Sequence, residues 1–268
     1  MSALSIRAAS LGHPGAPPVL RDLDVSVEPG ERVALVGGNG AGKTTLLRAA
    51  VGLLPVQGGG VRVAGRPVRA PRQAVEAGAA LLFQDPADQL FGATVLEDVL
   101  YGPRQRGLEE TAARARALDA LARTGLTALA DRPIEALSFG EKKRAGLAGL
   151  LAMEPTLLLL DEPTAGLDPA GELALVALLQ AAAARGATMV IASHAVDVLP
   201  RLVDRVIVLG EGRVLADGPA RAVLADAPLL ARASARSPIV TSLARALWPG
   251  RPLPLTVEEA VAWNADRS

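Results

Sequence analysis

The octapeptide GGNGAGKT at residues 37–44 sets small residues, a lysine and a hydroxyl side chain at a spacing suited to gripping a polyphosphate. Glycines let the main chain curl round an anion so that successive N–H groups converge on it, and the N-terminus of a following helix adds its own. Gly37, Gly38, Asn39, Gly40, Ala41, Gly42, Lys43, Thr44 and Thr45 are therefore the candidate nucleotide cradle. Lys43 is positioned to hold the β- and γ-phosphates, and the Thr44 hydroxyl to ligate a bridging Mg²⁺. Well downstream, Asp161 closes an apolar run where a charge needs a partner, and the natural one is the metal beside Thr44. Glu162 follows at once and leaves the strand on another face, within reach of the water that attacks the γ-phosphate.

These residues need strands to carry them. Residues 32–36 read as a buried strand feeding the glycine loop, and TTLLRAAVG as the helix after it. Residues 156–160, 188–192 and 205–209 read as further strands separated by helices, an alternation that predicts a mostly parallel sheet with ligands at the carboxyl ends of its strands. QGGGVRVAGRPV has the short alternating segments of an antiparallel strand subdomain, and PRQAVEAG a helix returning to the sheet. From about residue 87 to 153 the pattern is helical, and the arginines of EETAARARALDALARTG form a solvated face. The expected fold is thus an α/β P-loop nucleotide-binding domain over residues 1–225 with a mostly parallel core sheet, an antiparallel strand subdomain and a helical lobe at about 87–153. Residues 226–268 form a C-terminal tail in which TVEEA, from Thr256, carries a capping-box pattern and starts a last helix.

A P-loop alone does not separate kinase, GTPase, motor and transporter. The order and spacing of FQDP at 83–86, LSFGEKKR at 137–144, LLLLDEP at 157–163, AGLD at 165–168 and the SH pair at 193–194 resemble the ATP-binding-cassette family, over roughly residues 4 to 225. The resemblance implies ATP and Mg²⁺ as cofactors and ATP hydrolysis as the activity. It implies that His194 holds the γ-phosphate and the attacking water, and that Gln84 touches metal or water while reporting to the helical lobe. It also implies a head-to-tail pair of ATPase subunits, in which Ser138 and Gly140 of one contact the γ-phosphate held by Lys43 of the other and Asp168 lies near the seam. Phe139 stands where the family usually has glycine. Upstream of the P-loop the family places an aromatic against adenine, commonly Tyr then Pro, and here the matching pair is His13 and Pro14. Stacking on His13 is expected to be weaker or pH-sensitive.

DPADQLFGATVLEDVLYGP at 85–103, together with LSFGEKKR and the tail segments PIVTSLARAL and PLTVEEA, is similar to the energy-coupling-factor branch of importers, the cobalt/nickel type in particular. That likeness implies a transmembrane coupling subunit received near Leu90 and Phe91, a membrane substrate-binding subunit, and a second ATPase subunit that is either a copy or a close paralogue. Its implied place is the cytoplasmic face of the cell membrane, held there by partners. A vitamin-importing counterpart is the alternative cargo, and a soluble non-transport cassette ATPase the alternative class. Cassettes of translation usually come in pairs and those of DNA repair carry a long coiled coil, and this chain has neither.

Composition is consistent with that reading. Lys plus Arg and Asp plus Glu balance at 28 each, which argues against general nucleic-acid binding. There is no cysteine, hence neither disulfide framework nor thiolate site, and with two histidines far apart in sequence no cobalt or nickel cluster is expected in this chain. MSALSIRAAS lacks the apolar core of a signal peptide, and no apolar run reaches membrane length.

Overall fold

The computed structural model describes residues 1–265 of the chain. Strands β1 (Leu4–Leu11) and β2 (Leu20–Val27) pair antiparallel ahead of β3 (Arg32–Val36), which runs into the glycine loop and helix α1 (Lys43–Ala50). Then come β4 (Gly60–Val63), β5 (Arg66–Pro67), α2 (Pro71–Glu76) and β6 (Ala79–Leu82). Helices α3 (Val95–Gln105), α4 (Glu110–Arg123) and α5 (Phe139–Ala152) pack on one another as a helical lobe. The chain returns through β7 (Leu157–Asp161), α6 (Pro169–Ala184), β8 (Thr188–Ala192), β9 (Arg205–Gly210) and β10 (Arg213–Pro219). It ends in α7 (Ala220–Ala225), α8 (Ala227–Arg232), α9 (Ile239–Leu247) and α10 (Val257–Ala265).

Two sheets result, a four-stranded one in the order β2-β1-β4-β5 and a six-stranded one in the order β10-β9-β3-β8-β7-β6. Within the larger sheet every pairing is parallel except β9 with β10. Parallel sheets are covered on both faces, so their strands are apolar throughout; each residue of LLLLD in β7 and of TMVIA in β8 is buried. Side chains alternate between the faces. Ala34, Val36, Leu158 and Leu160 join the core beneath the helical lobe and α6, whereas Val33, Leu35, Leu157 and Leu159 join the core shared with α1 and the antiparallel sheet.

Register decides where the chemistry falls. Asp161 pairs with Ala192, and Ala192 with Leu35, so β7, β8 and β3 stop at one level and their next residues emerge side by side. The bounds of β3, β7, β8 and β9 fall within one residue of the sequence expectation, whereas the helical region expected from about residue 87 has its first α-helix at Val95. Within the helical region α5 begins at Phe139 because Ser138 is its N-cap. In the tail, Thr256 accepts from the Glu259 N–H at 3.2 Å, but Glu259 accepts from Leu255 N–H at 2.9 Å, one residue before the position that a reciprocal capping box requires.

Candidate nucleotide site

A cavity of about 850 Å³ lies at the carboxyl ends of the parallel strands, lined along one wall by the whole P-loop from Gly37 to Thr45. Gly42 is the N-cap of α1 at φ +96°, a conformation that suits glycine, and a Cβ there would lie 2.7 Å from Leu20 Cγ. The Lys43 ammonium is buried and folded back into the loop, donating to Gly37 O at 2.8 Å and Gly38 O at 3.2 Å. From the first turn of α1 the Thr44 hydroxyl donates to Asp161 Oδ1 at 3.1 Å, so residues 117 apart in sequence meet at one point. Burial pushes the Asp161 carboxyl above its ordinary range, partly offset by the Thr44 hydrogen bond.

Glu162, buried like Asp161, diverges from it for a reason the sequence does not carry. Strand alternation ends at Asp161, and Glu162 takes a left-handed backbone conformation at φ +45°, which costs a non-glycine residue about 1–2 kcal/mol. Its N–H donates to Ala192 O at 2.9 Å and its C=O accepts from the Lys143 ammonium at 2.7 Å. The carboxylate then meets His194, whose N–H donates to Oε2 at 3.1 Å and whose Nδ1 lies 2.9 Å from the same oxygen. His194 is exposed and lines the P-loop cavity together with Glu162 and Gln84. Gln84 also borders a smaller neighbouring cavity with Asp161, Asp85, Asp88 and Arg48.

His13 and Val19 form part of the P-loop cavity, so both histidines of the chain, far apart in sequence, face one space. Among the described residues no group of three or more His, Cys, Asp or Glu side chains is arranged to hold a metal ion. Ser138, Gly140 and Asp168 stand apart from the P-loop cavity. The Ser138 hydroxyl accepts from the Glu141 N–H at 3.3 Å while Glu141 accepts from Ser138 N–H at 2.7 Å, a reciprocal cap at the α5 terminus. That contact is the first cause holding the Glu141 carboxyl below its ordinary range. Asp168 caps α6 through Gly171 N–H at 2.7 Å. Phe139 packs on the AGLD loop of its own chain, where a Cβ on Gly166 would stand 2.7 Å from the ring. Sequence motifs missed Lys143 and the tail residues Ser234, Ala235 and Arg236, which also line the cavity; Ala233 O accepts from the P-loop Gly38 N–H at 2.7 Å.

A second, larger space of about 1000 Å³ opens on the helical lobe between Arg66, Arg72, Phe91, Tyr101 and Met153. Phe91 is 66% exposed and meets Tyr101 edge-on at 4.7 Å between centroids, whereas Leu90 is half-buried against the core. The buried Asp98 carboxylate holds the loop by accepting from Phe91 N–H at 2.8 Å and Gly92 N–H at 2.9 Å. Among the described residues no helix is long and apolar enough to cross a membrane.

A family model described as ABC transporter matches residues 20–165. The chain is 44% identical to the cobalt import ATP-binding protein CbiO of Rhodobacter capsulatus, over 93% of this chain and 90% of that one. It is 38% identical to the energy-coupling factor transporter ATP-binding protein EcfA of Methanothermobacter thermautotrophicus, over 90% and 78% of the two chains. The solved structure of CbiO1 from Clostridium perfringens, described as part of the ABC transporter complex cbiONQ, superposes with a TM-score of 0.76 at 34% identity, covering 92% of this chain and 96% of that one.

Proposed function

The chain belongs to the ABC transporter ATPase family, and from that premise we propose that it is the ATP-binding and ATP-hydrolysing subunit of an energy-coupling-factor importer whose cargo is cobalt. The cargo rests on the 44% identity to a cobalt import ATPase. The chemistry rests on one juxtaposition, the Thr44 hydroxyl on Asp161 beside the Glu162 carboxylate at the mouth of the P-loop.

Mg²⁺ fits these residues. Hard cations take oxygen ligands, and the hydroxyl of Thr44, the carboxylate of Asp161 and the amide oxygen of Gln84 are the available donors. A cation here also answers the raised Asp161 carboxyl, since it restores the charged form that burial disfavours. Mg²⁺ held by Thr44, Asp161 and Gln84 would neutralise the charge that builds up during transfer. The chain's own groups do the rest. P-loop N–H groups and Lys43 orient the triphosphate, which requires Lys43 to leave its carbonyl partners. Glu162 takes the proton of the attacking water, and His194 holds the γ-phosphate. His13 faces the base.

Ser138, Gly140 and Asp168 belong in this reading to a site completed by a second ATPase subunit, itself or a close paralogue, which accounts for their standing apart from their own P-loop. The ABC domain is assigned to residues 1–225 with its helical lobe at 87–153, and residues 226–268 to a C-terminal tail. The groove around Phe91 receives the transmembrane coupling subunit, and a membrane substrate-binding subunit selects the cargo. The protein accordingly works at the cytoplasmic face of the membrane. Capture of the full-length chain from solubilised membranes tests this: it should retain a multispanning protein and show ATP hydrolysis abolished by chelating Mg²⁺. A chain recovered only from the soluble fraction, with no membrane protein attached, contradicts it.

A further inference from the structure

Among the described residues Lys143 is the bulkiest fully buried side chain, 1% exposed. An ammonium group in that position is costly unless it is paired. Its hydrogen bond runs to a main-chain carbonyl, that of Glu162, at 2.7 Å, and the Phe139 ring lies 6.0 Å from it. Neither partner is a carboxylate, yet Asp161, Glu162 and Asp85 all act on it by Coulomb attraction, and burial still lowers its pKa to about 8. A methionine would fill the same space without that penalty. The charge therefore needs a purpose beyond packing.

Glu162 supplies one. Its φ of +45° is held on both sides, by the Ala192 carbonyl on its N–H and by Lys143 on its C=O. Strained backbone of this kind persists only where its surroundings over-determine it. With both flanking peptide groups pinned, the Cα–Cβ direction is fixed and the carboxylate is delivered to His194. Lys143 also sits on α5, the helix whose first turn carries Ser138 and Gly140. Phe139 on Gly166 adds a second contact between that helix and the loop after β7.

We propose that Lys143 is a positioning residue for hydrolysis, which holds the Glu162 peptide in its left-handed conformation and ties the helix carrying Ser138 and Gly140 to the hydrolytic carboxylate of the same subunit. The inference rests on Glu162 being the base. A shift of α5 that follows contact with a partner's nucleotide is thereby felt at Glu162, through one hydrogen bond.

A double-mutant cycle on the full-length chain tests it, with single-turnover hydrolysis of radiolabelled ATP as one readout and calorimetric ATP affinity as the other. Lys143→Met should slow hydrolysis at least tenfold while ATP affinity moves less than threefold. Added to Glu162→Gln, it should cost no more than a further threefold, because the group it positions is already disabled. A Lys143→Met chain within threefold of wild type, or losses that multiply in the double variant, would overturn the inference. Should Lys143→Met fail to fold, Lys143→Gln, whose amide stops a bond short of the carbonyl, runs the same cycle under the same criteria. Wild-type turnover in Glu162→Gln would instead defeat the assignment of the base, a failure distinguishable from a dead Glu162→Gln beside a fully active Lys143→Met.

Discussion

The main-chain N–H and Nδ1 of His194 converge on one oxygen of Glu162, Oε2, at 3.1 and 2.9 Å. A carboxylate so engaged has one oxygen left for water, and a histidine so engaged has Nε2 left for a phosphate. Both side chains line the P-loop cavity.

Glu162→Gln keeps the shape of this contact and removes the base. Turnover should fall about 10²- to 10⁴-fold, roughly 3–5 kcal/mol in barrier, with ATP binding retained. Undischarged ATP should then hold two subunits together. Light scattering with ATP and Mg²⁺ checks this, and a chain that binds ATP yet stays monomeric speaks against a shared site.

His13 lines the P-loop cavity without a bulky aromatic beside it. If the ring meets adenine, His13→Tyr should tighten ATP binding by about 0.5–1.5 kcal/mol. Unchanged affinity in calorimetry would mean that the ring points away from the base.

Lys143 also predicts a pH effect on stability. Its pKa is about 8 in the folded chain against 10.5 in its absence of burial. Below pH 8 both states hold the proton and the folded state bears the full cost. Between these values the unfolded state binds more protons, so stability rises with pH and levels off above 10.5. The gain is on the order of 3 kcal/mol. In urea unfolding, wild type should gain on Lys143→Met as pH rises from 8 towards 10.5. A constant difference between the two would remove the buried charge as its cause.

How much of this was legible in the sequence depends on whether the determinant is local. The P-loop, β3, β7 and β8 were, because strands buried on both faces leave unbroken apolar runs and the glycine loop has a fixed spacing. Ser138 and Glu141 declare a helix start by capping chemistry within three residues. Lys143 did not, since nothing local in EKKR marks one lysine as buried, and only the meeting of α5 with the Glu162 carbonyl after β7 encloses its second lysine. Nor did the left-handed turn at Glu162, or the approach of Ala233 to Gly38 from 195 residues away in sequence. Leu90 and Phe91 looked equivalent as neighbours, and packing made one half-buried and the other exposed.

That difference sharpens the coupling test. Phe91→Ser should reduce transport at least tenfold in the complete complex and leave ATP hydrolysis by the free chain within about twofold, as expected for an apolar anchor lost from a groove. Equal losses in both assays would place Phe91 in the fold rather than at the partner.

The central claim is tested most directly by ATP-dependent uptake of radiolabelled cobalt in cells expressing the complete complex, with wild type set against Glu162→Gln. The account predicts cobalt accumulation with the wild type and background uptake with the variant, at equal amounts of protein in the membrane. Cobalt uptake that persists in Glu162→Gln would contradict hydrolysis by this chain as the driving step, and accumulation of nickel or a vitamin without cobalt would contradict the cargo.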